Sequence, residues 1–422
     1  MAEDTFDAIV VGAGPAGSAC AYTLAKAGRN VLLLERGNSA GAKNVSGGRL
    51  YGYALDLVDP ELAARAPLQR RIRREQIMLL GGQGATTLDY MDYGELPPSH
   101  SVIRATLDEW FAGEAETAGA MVAAGVRVDS LLEEDGRIVG IRAGEDEMRA
   151  DIVIAADGVN SLLGQQAGLF PDVRPETIGV GVKETLELPE AVINQRFNLQ
   201  DGQGAARVIL GCTEGISGGG FLYTNKDSLS LGIVFNPVQA ARHGRHIQDI
   251  FQDFKMHPAI APLLAGATSI EYGAHLVPER GYHGLPKRLH RPGLLVAGDA
   301  AQMGINTGLI IRGMDLAMVS GLAAAQAILG ARDAAVGPLY MERLEALSLL
   351  PNMRAYQDFH GIFDLTRVFR EYPDLANDAL HFMFKVDGRT PRPMVKGLTG
   401  LVRAKVTLGQ LAADAWKGFR SL

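Results

Sequence analysis

A chain of 422 residues exceeds the size at which one hydrophobic core usually stops growing, which points to two closely joined domains or one elaborated α/β domain. Apolar residues at 47% and charged residues at 21% exclude a disordered, collagenous or multi-spanning membrane protein. The net charge of −7 supplies no positive field for nucleic acid, and the two cysteines, Cys20 and Cys212, are too few for a secreted disulfide framework or for the four thiolates of an iron–sulfur cluster. The 51 glycines imply many tight turns and close backbone approaches, as around a large buried ligand. The acidic N-terminus runs directly into a strand with no secretory signal, and no apolar run reaches the ~18 residues of a membrane span. A reducing, cytoplasmic setting is therefore expected, with attachment to a membrane surface left open.

The strongest local signal spans residues 7 to 36. Ala8 to Val11 read as a strand buried on both faces, Gly12, Gly14 and Gly17 follow as G-x-G-x-x-G, Ser18 to Ala27 form an alanine-rich helix closed by Gly28, and Val31 to Leu34 give a second buried strand ending at Glu35. This is a complete βαβ dinucleotide-binding unit. Gly12 permits the tight turn, Gly14 lets the main chain approach a pyrophosphate, and Gly17 lets helix pack close on strand. The helix N-terminus offers unpaired N–H groups to phosphate, and Glu35 is placed for ribose hydroxyls. No second fingerprint follows: the glycines at 81 to 84 sit between strand-like segments and read as a hairpin turn, and those at 218 to 220 lead into another strand. One dinucleotide site is available.

Further along, residues 104 to 124 read as an amphipathic helix, Val126 to Asp129 as a short strand, and Gly140 to Ile154 as a hairpin leading to Ala156-Asp157-Gly158. Residues 178 to 236 alternate repeatedly, as an antiparallel sheet does. At 294 to 316 a buried strand ends at Gly298-Asp299, and Gly308 is expected to open an apolar helix reaching about Leu329. His243 and His246 lack cysteine or carboxylate partners at ligand spacing, so no metal site is expected. Residues 392 to 422 hold six cations, Arg392, Lys396, Arg403, Lys405, Lys417 and Arg420, against Asp414, interleaved with Leu398, Leu401, Val402, Trp416 and Phe419. That is the pattern of an interfacial amphipathic segment, or of a tail that packs on its own domain or on a partner.

Three separated features agree: the fingerprint with Glu35, Ala156-Asp157-Gly158 followed by Asn160-Ser161, and Gly298-Asp299-Ala300. Together they resemble the flavoproteins of the glutathione-reductase-like superfamily. Within it, the stretch Gly41 to Tyr51, Gly181-Val182-Lys183-Glu184, Gly218 to Asn225 and Ile311 to Asp315 are similar to the FixC branch of the electron-transfer-flavoprotein:quinone oxidoreductases. The resemblance implies an α/β fold: a Rossmann-type FAD-binding domain from residues 1–75, 98–165 and 270–345, an inserted antiparallel β-sheet domain from 76–97 and 166–269 for quinone or substrate, and a helical C-terminal region over 346–422. It implies FAD held by the fingerprint residues with Pro15, Ala16, Arg36, Arg104, Val128, Asp157, Gly158, Gly298, Asp299, Asn306 and Gly308. Asn44, Gly47 and Gly48 are placed in a loop beside the isoalloxazine. No catalytic side chain is expected, because the flavin carries the chemistry.

The implied activity is electron transfer from a two-subunit electron-transfer flavoprotein toward quinone, as one subunit of an NADH-driven electron-bifurcating complex. A ferredoxin-like iron–sulfur protein is the other implied partner, since this chain lacks the cluster cysteines of longer relatives. The competing readings are a geranylgeranyl-reductase-like or aromatic-hydroxylase-like FAD enzyme, which share the superfamily motifs, and a non-catalytic FAD-binding scaffold.

Overall fold

A first strand with neighbours on both sides must be apolar along its whole length. Phe6–Val11 is so from Ala8 onward, with Asp7 at its entry: Ala8, Ile9 and Val10 are inaccessible to solvent. It pairs in parallel with Val31–Glu35 on one side and Asp146–Ala155 on the other. The computed structural model, which describes residues 5–43, 47–82, 84–94, 96–170, 175–308 and 310–420, builds the first sheet around this strand. Its order is His290–Arg291, Leu294–Val296, Asp146–Ala155, Phe6–Val11, Val31–Glu35, Met121–Ala124, and only the His290–Arg291 edge runs antiparallel to its neighbour. A hairpin of Ser130–Glu134 and Arg137–Ala143 extends from the early half of Asp146–Ala155.

The helices Pro15–Lys26 and Met314–Gly330 cross at a point where the second has room for no side chain at Gly321. A Cβ on Gly321 would lie 2.0 Å from the Ala16 carbonyl oxygen. Met314–Gly330 is buried nearly all round, as an apolar helix sandwiched in a core should be.

The second sheet has nine strands, in the order Thr268–Pro278, Ile178–Glu187, Ser228–Phe235, Gly218–Thr224, Gln203–Leu210, Arg71–Gly81, Ser99–Val102, Gly48–Tyr51, with Gly84–Met91 also paired to Arg71–Gly81. It is mixed rather than purely antiparallel, because Gln203–Leu210 runs parallel to Arg71–Gly81. Two expected breaks fall inside strands, and two short strands pair outside the segments expected for them. The strands Arg71–Gly81 and Thr268–Pro278 lie wholly in this sheet, so breaks at 75 and 269 cut through them, and Gly48–Tyr51 and Ser99–Val102, expected in the FAD-binding segments, pair at its edge. These two strands have four residues each, too few for an alternation to show in sequence.

Three local expectations are also corrected. The helix expected to reach residue 124 is Arg104–Thr117, ended by Gly119 at φ +110°, and the strand that follows is Met121–Ala124 in place of Val126 to Asp129. The helix expected from Gly308 starts at Met314. Residues ahead of it form a two-stranded ladder, Ile305–Asn306 with Ile311–Arg312, in which the Asn306 side-chain oxygen accepts the Gly308 N–H at 2.9 Å.

The C-terminal region includes the helices Glu371–Phe384, Met394–Lys405 and Leu408–Arg420. Asp414 accepts two 2.6 Å bonds from Arg367, Lys405 pairs with Asp378 at 2.8 Å and Lys417 with Asp364 at 3.2 Å. Part of the tail's charge therefore serves its own domain, while Trp416 and Phe419 remain 63% and 72% exposed.

Replacing glycine by alanine inside a helix ordinarily stabilises it by roughly 0.5–1 kcal/mol. At Gly321 the clash with the Ala16 carbonyl reverses the sign, and Gly321→Ala is expected to destabilise by about 1–3 kcal/mol, read as a lower denaturant midpoint at unchanged slope.

Candidate functional site

The end of the first strand and the start of the first helix converge through backbone alone. Gly12 has φ +105°, and a Cβ there would meet the Ala156 carbonyl oxygen at 2.3 Å; one on Gly17 would meet the Gly12 carbonyl oxygen at 1.9 Å. Gly14 is the helix N-cap, with no side chain to satisfy the first-turn N–H groups, and Pro15 follows at the start of the helix. Such an N-terminus presents donors and a partial positive charge to an anion. Glu35, at the end of the neighbouring strand, accepts from the Gly37 N–H at 2.6 Å and the Ala13 N–H at 3.2 Å. Its carboxylate is thereby fixed at the mouth of the helix.

These groups form one wall of a cleft of about 940 Å³. Asp157, just past the strand Asp146–Ala155, accepts the Leu163 N–H at 3.0 Å through Oδ2, while its Oδ1 is buried with no hydrogen-bond partner among the described residues. Burial pushes the Asp157 carboxyl up, against the backbone donors that favour its charge. Arg104, at the head of its helix, is clamped by Asp108 through bonds of 2.7–3.1 Å and lies 3.9 Å from where a Gly14 Cβ would be. Asp299 sits on the short helical turn Gly298–Ala301; burial pushes its carboxyl up, opposed by Arg104 and Lys183.

The second sheet forms the opposite wall. Lys183, Gly218 to Phe221, Tyr223 and residues 274 to 279 line it. Lys183 is lowered to about 8 by burial and then by Arg104, and His275 to about 4 by burial, Lys183 and Arg104, so the imidazole is neutral at pH 7. Burial alone pushes Glu279 up to about 7. At one side of the cleft the Tyr51 ring is in contact with the guanidinium groups of both Arg49 and Arg312, at 5.0 and 5.2 Å from its centroid. Asp315 holds Arg312 at 2.6 Å, and the Tyr53 hydroxyl donates to the same carboxylate at 2.9 Å.

Of the residues expected to hold the cofactor, Gly12, Gly14, Pro15, Ala16, Glu35, Arg36, Gly47, Gly48, Arg104, Val128, Asp157, Gly158, Asp299, Asn306 and Gly308 line this one cleft. Gly17 and Gly298 stand behind it: Gly298, at φ +66°, packs its backbone on Ala16. Asn44 lies outside the described residues. Sequence reasoning passed over His275 and Glu279, and treated Arg49, Lys183 and Arg312 only as part of a resemblance. The available signal was phase: Lys183 alternates with Val180 and Val182, which face the second sheet's own core.

The residues present suit FAD. A glycine-built helix N-terminus, a fixed acid beside it, an orphaned buried carboxylate oxygen and a cleft of this size are the parts an elongated dinucleotide requires. Comparison with known proteins agrees. Residues 7–83 match the model for the FAD dependent oxidoreductases, 178–277 that for the ubiquinone-binding region of electron-transfer-flavoprotein:quinone oxidoreductases (ETF-QO), and 359–422 the ETF-QO/FixC family C-terminal domain. Protein FixC of Escherichia coli K12 is 45% identical over 427 residues, covering 99% of both chains. The chain belongs to the ETF-QO/FixC family. A probable electron transfer flavoprotein-quinone oxidoreductase of the same bacterium, YdiS, is 41% identical over 100% of both chains. The family membership makes this chain an FAD-dependent oxidoreductase. Among solved structures, a geranylgeranyl bacteriochlorophyll reductase-like protein from Thermoplasma acidophilum superposes with a TM-score of 0.69 at 20% identity, over 96% of this chain and 97% of that one. The flavin-dependent brominase Bmp2 gives 0.65 at 16%, over 95% and 99%. At these identities the likeness is one of fold.

Proposed function

We propose that this chain receives electrons from a two-subunit electron-transfer flavoprotein onto its FAD and passes them to a quinone, as the FixC-like arm of an NADH-driven electron-bifurcating complex. The observation that carries the reading is the shared cleft: the segment matched by the ubiquinone-binding model supplies the wall that faces the dinucleotide cradle. Cofactor and acceptor are thereby brought within one cavity. The flavin supplies the electron chemistry. The protein's part is to hold it through Gly12, Gly14, Glu35, Arg36, Arg104, Asp157 and Asp299, and to shield the cavity with Phe221 and Tyr223.

The partners follow from what the chain carries. A single dinucleotide fingerprint leaves NADH oxidation to another subunit. Cys20 and Cys212 are both buried, with thiols pushed up to about 12 by burial, and among the described residues no group of metal-ligating side chains comes together. The family resemblance supports a ferredoxin-like iron–sulfur protein as a separate partner chain. A lipid-soluble quinone is met at the membrane surface, with the exposed Val395, Trp416 and Phe419 of the C-terminal helices as the contact; no described helix is long and apolar enough to cross a membrane.

Three outcomes test this. Glu35→Ala removes a charge-assisted contact of roughly 1.5–3 kcal/mol, so FAD should bind about ten- to hundredfold more weakly. Glu145→Ala, on an exposed turn, should retain the native flavin content, and equal content in both variants would sink the assignment. Mixed with its electron-transfer flavoprotein, NADH and a short-chain quinone, the chain should support quinone reduction, whereas NADH alone should leave its flavin oxidised; rapid direct bleaching by NADH would contradict the reading. Flotation with anionic vesicles should weaken with salt and be lost in Trp416→Ser/Phe419→Ser, and undiminished flotation of that variant would move the membrane contact elsewhere.

A further inference from the structure

The strand Ile178–Glu187 divides its side chains between two environments. Val180, Val182 and Leu186 pack into the second sheet's core, and on that face Glu184 accepts from Lys255 at 2.6 Å. Lys183 is on the other face and lines the cleft. Gly181, two residues earlier, lies on the same face, where a Cβ would touch Lys183 Cε at 3.5 Å. No hydrogen bond or ion pair is found for the amine among the described residues, and it stands 5.9 Å from the centroid of the Phe221 ring.

The groups around it come from both walls. Arg104 approaches from its helix, already engaged by Asp108, and Asp299 from the turn after the strand Leu294–Val296. His275 and Glu271 come from the neighbouring strand Thr268–Pro278, and Tyr223 from Gly218–Thr224. An unpaired ammonium facing a redox cofactor responds to any charge placed on that cofactor, because the Coulomb interaction in a partly desolvated cleft is several-fold stronger than in water.

We propose that Lys183 couples proton uptake to the redox state of the bound flavin. Two electrons arriving from the donor with one proton leave one added negative charge in the cleft, and above about pH 8, where the amine is otherwise largely neutral, a second proton passes from solvent to Lys183, R–NH2 becoming R–NH3+. When the electron pair leaves for the acceptor both protons are given up, the one taken with the electrons and the one held by Lys183. The amine has the proton affinity this requires. Burial, with Arg104, brings it down to about 8, so added negative charge raises it through the range just above neutrality. His275, lowered to about 4, stays neutral there. Glu279, pushed up to about 7 by burial, responds at lower pH. The inference rests on FAD occupying the cleft and not on the identity of donor or acceptor.

The test is redox titration of the FAD-loaded full chain between pH 6.5 and 9.5. In the native chain the midpoint potential should fall more steeply above a break near pH 8. K183M should lose that break and show a lower potential at pH 7, since the cation is gone. K183R, charged throughout, should lose the break yet keep the native potential at pH 7. A native chain without the break, or a break that persists in K183M, overturns the proposal. Should K183M fail to retain FAD, K183R decides, because a break persisting there is equally fatal. Failure of the electron-transfer flavoprotein to reduce the chain would count against the proposed function and leave this result untouched.

Discussion

Everything in the site depends on backbone touching backbone at the start of the first helix. Gly12 lies against the Ala156 carbonyl and Gly17 against the carbonyl of Gly12, while Ala16 is pinned from the far side by Gly321 and Gly298. These contacts set the direction of the helix N-terminus. They also fix where Asp157 and Asp299 can be, since each follows closely on a strand of the same parallel sheet. Any side chain at Gly12 or Gly17 would separate strand from helix, and the donors at the helix mouth would no longer converge with the two carboxylates.

The charges in the cleft are of two kinds. Arg104 is neutralised and oriented by Asp108, and Arg312 by Asp315, so these two guanidinium groups enter the cleft with fixed geometry. Lys183 has no such clamp. A clamped cation contributes a constant field, whereas an unclamped amine with lowered proton affinity contributes a field that varies with pH. The same cleft thus contains both a fixed and an adjustable electrostatic element.

Much of this was legible in sequence where the signal is local. The βαβ unit declares itself within 30 residues because strand, turn, helix and acid are consecutive, and the Gly81–Gly84 hairpin reads correctly for the same reason. The failures share a cause. Gly48–Tyr51 and Ser99–Val102 pair with each other across some 50 residues, and four residues carry no detectable period. The apolar stretch after Gly308 reads as helix from its composition, yet Ile311–Arg312 is taken by a ladder with Ile305–Asn306, a tertiary choice that overrides propensity. Lys183, His275 and Glu279 became visible as cleft residues only when the first sheet's loops covered one face of the second, which no local pattern encodes.

The central claim is that two sheets of one chain enclose a single cleft in which cofactor and electron acceptor meet. A crystal structure of the FAD-loaded chain soaked with a short-chain ubiquinone analogue tests it most directly. The account places the pyrophosphate at the Gly14 N-terminus and the analogue in the same cavity, against the Gly218–Phe221 and Lys183 wall. An analogue bound in a separate cavity, with protein between it and the flavin, would contradict it.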